Sequence, residues 1–425
     1  MGPLNIARAL PWLCLASAAT LPSQHTTSHK ARAAANETSV YDAIIVGGGP
    51  SGLSALSGLA RVRRNVLLLD SGEYRNNPTR HMHDVLGFDG VTPAYFRWAA
   101  RQQISHYDTV SAANGTVTKI DISDASSDPH SDTLFTVSTE PTADGAGEAA
   151  TYSARKIVLA TGLRDILPPT PGISENWGKG IFWCPWCDGH EHADQSLGIL
   201  SNLTDAPGLV REISTLNSDI IAFVNGTDTP ENRAATEDVF PQWEAFLKLH
   251  NVTVENRTLA SITRLRDGGA DNTDPSLPSA PEYDLFRVDF VGGGDSIERA
   301  AFFSSFPEEQ QSTVGPDLGV RLDGKRLAAD PTKGLVTNIQ GVYAIGDANA
   351  DNVTNVPHAL FTGKRTAVYL HVQLAREEAA KELAGSGNST AVAAKKRAAA
   401  ELDLRSVWET MNGEPRDILY AGDFE

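Results

Sequence analysis

A glycine-rich turn between two apolar runs constrains the fold of this 425-residue chain more than any other feature. Residues 41–46 form a continuous apolar, β-branched run, as expected for a parallel strand that is buried on both faces. The turn GGGPSG follows at residues 47–52, then a helical stretch at 53–61 and a second strand at 66–70 that ends in an acid. This order predicts a dinucleotide-binding unit.

The residues of this unit have separate predicted tasks. Gly47 permits the tight turn, Gly49 lets the backbone approach a pyrophosphate, and Gly52 lets the helix pack on the strand. The helix N-terminus would receive the phosphates, and the acid that ends the second strand would hold a ribose hydroxyl. The predicted cofactor-binding residues are therefore Gly47, Gly49, Pro50, Ser51, Gly52 and Asp70.

Two later segments occur where flavoproteins with two dinucleotide-binding domains return to the FAD site, and this resemblance implies that the dinucleotide is FAD. KIVLATG at 156–162 and GVYAIGDA at 341–348 each read as a strand that closes in a turn of small residues. The first would contribute Thr161 and Gly162, and the second Gly346 and Asp347, whose carboxylate would accept a hydrogen bond from the ribityl chain. A helix from about residue 358 to 375 would point its N-terminus at the flavin. An ordinary strand and turn would explain either segment alone. It would not explain the glycine turn at 47–52 and both later segments occurring in this order.

The N-terminus predicts export. Arg8, the apolar run 9–16 and the small residues 16–19 are typical of a signal peptide at 1–19, and the run is shorter than the about 20 residues that a membrane anchor needs. Residues 20–37 read as a disordered or processed leader. We therefore expect a secreted, extracellular protein with N-glycosylation sequons at Asn36, Asn114, Asn202, Asn225, Asn251, Asn256, Asn352 and Asn388.

Cysteine use points to redox chemistry. Of the three cysteines, Cys14 would leave with the signal peptide, so the mature chain keeps Cys184 and Cys187. A disulfide across so short a loop restricts the unfolded chain very little, so this pair is better explained by thiol–disulfide exchange than by stabilisation. A zinc site with His190 and His192 is the alternative, but that spacing fits no common structural site, so no metal is expected.

The net charge of −17 would repel phosphate backbones and anionic lipid. Neither a nucleic-acid partner nor a membrane partner is therefore expected.

On these motifs the chain resembles the low-molecular-weight thioredoxin reductase superfamily over about residues 40–374, and in particular its fungal branch of gliotoxin-type dithiol oxidases and secreted sulfhydryl oxidases. The matching stretches are GGGPSG at 47–52, YRN at 74–76, HMH at 81–83, ATG at 160–162, CPWCDGHE at 184–191, GVYAIGDA at 341–348 and NVPHALFTGKRTA at 355–367.

The resemblance implies an α/β fold of two Rossmann-like domains. The FAD-binding domain would be split into residues 38–165 and 299–375 around a middle domain at 166–298, which carries the cysteine pair and is the vestige of a pyridine-nucleotide domain. Outside the resemblance, the stretch at about 376–404 is rich in Ala, Glu and Lys and reads as helix with a break near 385–387. The helical extension at 376–425 would cover the surface or support a homodimer.

The resemblance also implies roles for single residues. Cys184 would be the sulfur that the substrate thiolate attacks, and Cys187 would face the flavin and pass electrons to it. Asp188 would be the acid/base, as the acid that follows the pair. His358 is a second candidate, because imidazole titrates near working pH and the NVPHA motif should lie beside the flavin. A structural histidine is the alternative at that position.

The middle domain lacks what NADPH would need. Its first strand, at 196–200, leads into SNLTD at 201–205 without the second glycine fingerprint, and the sequon at Asn202 would place a glycan on that turn. After the next strand, NGTD at 225–228 supplies no arginine cluster for a 2′-phosphate. The glycines at 292–294 read as a hairpin turn.

Reduced flavin would therefore pass its electrons to oxygen. The predicted protein is a secreted FAD-dependent thiol oxidase whose partners are O2 and a small-molecule thiol such as glutathione, with a disulfide and H2O2 as products. The alternatives are a dithiol oxidase that closes the disulfide of a secondary metabolite, an NADPH-dependent reductase, and a catalytically silent flavoprotein or binding module.

Overall fold

The computed structural model describes residues 40–124, 134–269 and 281–385. The predicted signal peptide, the leader and residues 386–425 of the predicted extension lie outside this described part. The strands are β1 Val40–Tyr41, β2 Ala43–Val46, β3 Val66–Asp70, β4 Val110–Asn114, β5 Thr116–Asp124, β6 Leu134–Glu140, β7 Ala150–Ala154, β8 Ile157–Leu159, β9 Leu163–Asp165, β10 Ile181–Phe182, β11 Leu197–Leu200, β12 Ile220–Phe223, β13 Thr253–Glu255, β14 Leu259–Arg266, β15 Leu285–Phe290, β16 Ile297–Arg299, β17 Ala301–Ser304, β18 Glu308–Gln310, β19 Leu322–Asp323, β20 Arg326–Leu327 and β21 Val342–Ala344. The α-helices are α1 Pro50–Ala60, α2 Pro93–Ile104, α3 Ile173–Asn176, α4 Pro185–Asp188, α5 Ala206–Ile213, α6 Pro230–Val239, α7 Trp243–Leu249, α8 Val314–Asp317 and α9 Val356–Gly385.

A five-stranded parallel sheet of order β21-β8-β2-β3-β4 organises what we call the outer lobe, residues 40–162 and 311–385. One face of its strands, including Ile45 and Leu68, packs with α1 and α9 in one apolar core. The other face, including Ile44 and Leu67, packs in a second core under the sheet β1-β7-β6-β5. Because both faces are covered, every residue of β2 and β3 is buried, which explains their continuous apolar sequence.

The predicted strand at 41–46 is divided in the structure. β1 pairs with β7, whereas β2 pairs with β3 and β8, and Asp42 separates them. The Asp42 carboxylate accepts hydrogen bonds from the Asn65 N–H and from Arg155, which breaks the run between the two sheets. The predicted α/β fold is confirmed, and so is the predicted order of strand, turn, helix and strand around residues 47–52.

The middle lobe, residues 166–307, is built on a second five-stranded parallel sheet of order β10-β17-β11-β12-β13. An antiparallel sheet β14-β15-β16 packs beside it, and the glycines at 292–294 form the turn between β15 and β16, as predicted. The expected boundary at 298–299 falls too early, because β17 (Ala301–Ser304) pairs with β10 and β11.

The chain passes between the lobes twice, and the two crossings pair with each other. β9 and β18 form an antiparallel two-stranded ribbon in which Asp165 lies opposite Glu308 and Arg164 opposite Glu309. We call this pair of strands the crossover ribbon. It is the covalent connection that sets where the middle lobe, and the cysteine pair that it carries, lies against the outer lobe.

Helix α9 is longer than the predicted 358–375 helix. It begins at Val356 and continues through the start of the predicted extension to Gly385, where the expected break begins. In the ranges that the structure describes, we find no helix that is both long and apolar enough to cross a membrane.

Candidate active site

A cavity opens at the carboxyl ends of β2, β3 and β8, beside the first turn of α1. Six of the residues predicted to bind the cofactor in the turns at 47–52 and 160–162 line it, as does Asp347. The lining residues are 46–51, 69, 71, 73–76, 79, 81–84, 115–117, 160–163, 183, 187–188, 311–312, 347, 354–356 and 359. We call this space the flavin cavity.

The glycine turn has the geometry that its sequence predicts. Gly47 has φ +111°, which side chains rarely allow, and a Cβ there would overlap the Ala160 carbonyl oxygen. A Cβ on Gly52 would overlap the Gly47 carbonyl oxygen, so this glycine allows α1 to approach the turn. Gly52 and Gly346 do not line the cavity themselves, but each packs closely against a residue that does, Gly47 and Ser51 respectively.

The cavity offers polar groups that fit a dinucleotide. Gly49 is the N-cap of α1 and no side chain caps that end, so the first-turn N–H groups face the cavity without a side-chain acceptor. A Cβ on Gly49 would meet only Tyr74 at 4.0 Å, which leaves room at the turn. The hydroxyl of Thr161 is buried and has no hydrogen-bond partner among the residues that the structure describes. These residues fit the predicted FAD, with phosphate at the helix terminus and a polar group at Thr161.

Asp70 was predicted to bind the cofactor, but it is not among the residues that line the cavity. It is 3% exposed, and its Oδ1 accepts hydrogen bonds from the N–H groups of Gly48 and Gly72, each at 3.1 Å. Its Oδ2 accepts from the Tyr74 hydroxyl at 2.6 Å and from Arg101. A ribose hydroxyl would have to replace one of the latter two donors, so the immediate role of Asp70 is to hold the turn. Burial and the hydrogen bond to Asp70 raise the pKa of Tyr74 to about 12.

The cysteine pair lies at the edge of the flavin cavity. Cys184 is the N-cap of α4, Pro185 starts that helix, and the two sulfurs form a disulfide. Cys187 lines the cavity and Cys184 does not. Trp183 also lines the cavity, and its ring stacks on Trp177 with centroids 5.0 Å apart. The two sulfurs thus differ in their access to the flavin cavity.

Asp188 follows Cys187 into the flavin cavity. It is 7% exposed, and burial, reinforced by the negative charges of Glu191 and Glu282, raises the pKa of its carboxyl well above the ordinary value. A carboxyl in this setting keeps its proton at higher pH than an exposed one and can donate it to a nearby group.

Two histidines that single-residue reasoning did not select also line the cavity. His83 Nε2 lies 3.5 Å from a Glu191 oxygen, and His81 Nδ1 lies 3.4 Å from a Glu282 oxygen. All four side chains are at most 10% exposed. The His-Met-His pattern at 81–83 was a usable signal, since it places two histidines on one side of an extended segment.

His192, Glu282 and Asp284 form a buried cluster behind Asp188. Their ligand-type atoms lie within 4.8 Å of one another, but the Arg80 guanidinium bonds to both carboxylates and occupies the position that a cation would take. Burial opposes ionisation of Asp284, yet hydrogen bonds from His192 and Arg80 lower its pKa. The zinc alternative used the cysteines with His190 and His192; the sulfurs are instead bonded to each other.

His358 does not line the flavin cavity, although Asn355, Val356 and Ala359 do. Its Nε2 lies 2.6 Å from the Asp351 Oδ2. On the first turn of α9 its ring is bound to that carboxylate and lies outside the cavity lining, so the geometry favours the structural alternative.

Asp347 lines the cavity and forms an ion pair with Arg75. Arg75 Nη1 donates a hydrogen bond to its Oδ2 at 3.2 Å. Burial nevertheless raises the pKa of Asp347 above its ordinary value, against the opposing effect of Arg75.

The turn where NADPH phosphates would lie is closed by its own hydrogen bonds. Asn202 Oδ1 accepts from the Asp205 N–H at 3.0 Å and from the Thr204 hydroxyl at 2.5 Å, and the Leu203 N–H donates to Thr227. Asp205 places a carboxylate at the N-cap of α5, where an anion would otherwise bind.

One arginine lies near the predicted 2′-phosphate position, a residue that the sequence analysis did not weigh. The Arg233 guanidinium bonds to both oxygens of Asp228, at 2.5 and 2.8 Å, and to Glu244 at 3.0 Å. It is thus already neutralised by acids of its own lobe.

Comparison with known proteins gives a consistent result. The family model of pyridine nucleotide-disulphide oxidoreductases matches residues 41–200. A protein of Arthroderma benhamiae named "probable thioredoxin reductase" is 48% identical over 342 residues, which cover 80% of this chain and 81% of the relative. Thioredoxin reductase tcpT of Claviceps purpurea is 29% identical over 77% of this chain and 92% of its own. A solved oxidoreductase of Agrobacterium tumefaciens superposes with a TM-score of 0.63 at 27% identity, over 79% of this chain and 99% of its own.

Proposed function

Because this chain belongs to the thioredoxin reductase-like pyridine nucleotide-disulphide oxidoreductases, which are FAD-binding flavoproteins, we propose that it is a thiol oxidase that uses oxygen as its electron acceptor. Family membership supports an FAD-dependent oxidoreductase with a redox disulfide. The identity of the electron donor and acceptor is our proposal.

The observation that carries the proposal is the closed turn between β11 and α5. A nucleotide pyrophosphate needs free backbone N–H groups at such a turn, and here Asn202 and Thr227 accept bonds from them while Asp205 adds a negative charge. Both relatives are named thioredoxin reductases, which favours the reductase alternative, and this turn argues against NADPH as its electron donor.

The proposed exchange at the cysteine pair starts from the disulfide. A substrate thiolate attacks the Cys184 sulfur, forms a mixed disulfide and releases Cys187 as a thiolate. A second substrate thiolate attacks the substrate sulfur of the mixed disulfide, so the product disulfide leaves and Cys184 becomes a thiolate. The Cys184–Cys187 bond would form again as the dithiol gives up two electrons, for which FAD held in the flavin cavity would supply the acceptor and then the donor to O2. The balance is two thiols and O2 to one disulfide and H2O2.

The residues around Cys187 have proposed tasks in this exchange. Asp188, with its raised pKa, would supply or receive the proton at Cys187, and the His83–Glu191 and His81–Glu282 pairs would place further polar groups close to the cavity. Trp186, between the cysteines, is 71% exposed and would contact the organic part of an incoming thiol.

We also propose that the protein is secreted and acts as a homodimer. Export is supported by the predicted signal peptide and by sequons that lie on the surface. Association of two copies is supported by exposed apolar side chains around one outer-lobe core, Leu86, Trp98 and Phe361, which a partner would cover.

An anaerobic experiment tests which compound donates electrons. Purified holoprotein is mixed without oxygen either with excess glutathione or with NADPH, and the flavin absorbance is followed. We expect glutathione to bleach the flavin and NADPH to leave it unchanged. Bleaching by NADPH but not by any thiol would overturn the proposal in favour of a reductase.

A further inference from the structure

The guanidinium of Arg75 joins the flavin cavity to the crossover ribbon. Its Nε and Nη2 donate to the two oxygens of Asp165 at 3.1 and 2.6 Å, and Nη2 also donates to Glu308 at 3.0 Å. Asp165 and Glu308 are opposite residues of the ribbon, so one cation holds both crossings of the chain. On its other side, Nη1 donates to Asp347, which lines the cavity.

Arg75 also touches the segment that leads to the cysteines. Its guanidinium carbon lies 5.7 Å from the ring centroid of Trp183, which immediately precedes Cys184 and stacks on Trp177. Arg75 and Trp183 line both the flavin cavity and a cleft of about 800 Å³ between the lobes. Arg75 therefore contacts the cofactor site, the ribbon and the cysteine segment at their junction.

Burial makes this cluster strong. The side chains of Arg75 and Asp165 are 12% and 6% exposed, so water screens their attraction little, and removal of Arg75 leaves the Asp165 carboxylate buried without this partner. Arg326 bonds to the same Glu308 from the outer lobe and adds a second tie to the ribbon.

The same ribbon offers a matched control. Arg164 and Glu309 face each other one position along, but they are 60% and 43% exposed. An ion pair in that setting contributes little, because water and salt screen it.

We propose that Arg75 is a positioning residue that holds the middle lobe so that Cys187 faces the flavin cavity. Without Arg75 the ribbon is free to flex, and Cys187 spends part of its time away from the cavity and open to solvent. The inference goes beyond thiol oxidation, since it concerns the exchange between the cysteines and the cofactor whatever compound finally receives the electrons.

Alkylation of the reduced cysteines tests the inference. The holoprotein is reduced by a small dithiol without oxygen and pulsed with iodoacetamide in the presence of excess FAD, and labelling at each cysteine is quantified by mass spectrometry. In the native protein Cys184 should label first and Cys187 slowly. In Arg75→Gln we expect the labelling rate of Cys187 to rise about tenfold, as for a segment released to local opening, with Cys184 changed less than about twofold.

Three further variants make the outcome decisive. Arg164→Gln should match the native protein, and Arg75→Lys, which keeps the charge but loses the forked geometry, should fall between the native protein and Arg75→Gln. Asp165→Asn weakens the ribbon contact while leaving the bond from Arg75 to Asp347, so a rise of Cys187 labelling there is not explained by altered flavin binding. Asp165→Asn also serves as the test variant if Arg75→Gln does not fold.

Hydrogen exchange gives an independent measurement. The Ile166 N–H, which donates to the Pro307 carbonyl beside the ribbon, should exchange faster in Arg75→Gln and in Asp165→Asn. Native rates of Cys187 labelling in folded, flavin-containing Arg75→Lys and Asp165→Asn would overturn the inference. Failure of the oxidase proposal would show as absent oxygen uptake and would leave these labelling rates unaffected.

Discussion

Cys184 and Cys187 differ in position, and this difference yields a prediction at the scale of single residues. Cys187→Ser removes the sulfur at the flavin cavity, and Cys184→Ser removes the sulfur that substrate attacks. Each variant should lose thiol oxidation to the background rate, because neither can form the disulfide. Both should keep FAD, since the glycine turn and Thr161 are unchanged. Activity is followed by thiol loss and flavin content by absorbance; turnover in either variant would contradict the assigned exchange.

Asp188→Asn should lower activity and raise stability at neutral pH. The kcat should fall by about 10²- to 10⁴-fold, as for loss of a general acid/base. The pKa of Asp188 is raised in the folded protein, so the folded state binds this proton more tightly than the unfolded chain does. Stability from this site is therefore present at low pH and is lost as pH rises through the folded pKa.

Thermal unfolding at several pH values checks this sign. The Tm of Asp188→Asn should exceed that of the native protein at pH 7, and the difference should vanish near the pKa of an unfolded carboxyl, about 3.9. A chain of 425 residues should gain roughly 1 °C in Tm per kcal/mol. A lower Tm for the variant at pH 7 would show that the carboxylate is charged and satisfied in the fold.

Residue roles were predictable where the reason is local. Gly47 needs a positive φ, and the spacing of Cys184 and Cys187 carries its own chemistry, so both could be inferred from the sequence. The pairs of Arg75 with Glu308 and of His83 with Glu191 could not, because they join residues that the fold alone brings together; Arg75 and Glu308 are 233 positions apart. His358 shows the converse, since a motif placed it near the flavin and one turn of α9 directed its ring to Asp351.

At the scale of elements, two glycines at helix starts should respond differently to the same change. Gly52→Ala places a Cβ against the Gly47 carbonyl oxygen and separates α1 from the turn, so we expect a loss of about 1–3 kcal/mol and weaker FAD binding. The Cβ that Gly208→Ala adds in α5 would have no described atom within 4 Å. We expect the free energy of unfolding to be unchanged or to rise by about 0.5–1 kcal/mol. Unfolding curves and bound FAD per chain measure both; equal behaviour of the variants would refute the close-approach argument.

Element boundaries were harder to infer than element types. The parallel strands followed from continuous apolar runs, but the sequence did not reveal that β17, after the expected domain boundary, completes the middle-lobe sheet. A four-residue apolar segment fits either lobe until its hydrogen-bond partners are known. Likewise β9 and β18 are three residues each and carry charges, so only the fold shows that they pair.

At the scale of the whole molecule, the proposed export predicts which sequons carry glycans. In secreted protein from a eukaryotic host, Asn256 should be unmodified, because its amide nitrogen donates to the Asp228 carbonyl at 3.3 Å and its Oδ1 accepts from the Asp228 N–H at 2.9 Å. The exposed sequons are expected to be acceptors, namely Asn114, Asn202, Asn225, Asn251 and Asn352. Glycopeptide mapping checks this; a glycan at Asn256 with the others bare would contradict it.

The ratio of oxygen consumed to thiol lost measures the direction of electron flow. Holoprotein is supplied with glutathione in an oxygen electrode, with Cys184→Ser as control, while free thiol is titrated in the same samples. We expect one O2 to be consumed for every two thiols lost, with none consumed by the control. No thiol-dependent oxygen uptake, together with oxidation of NADPH when a disulfide is supplied, would contradict this expectation.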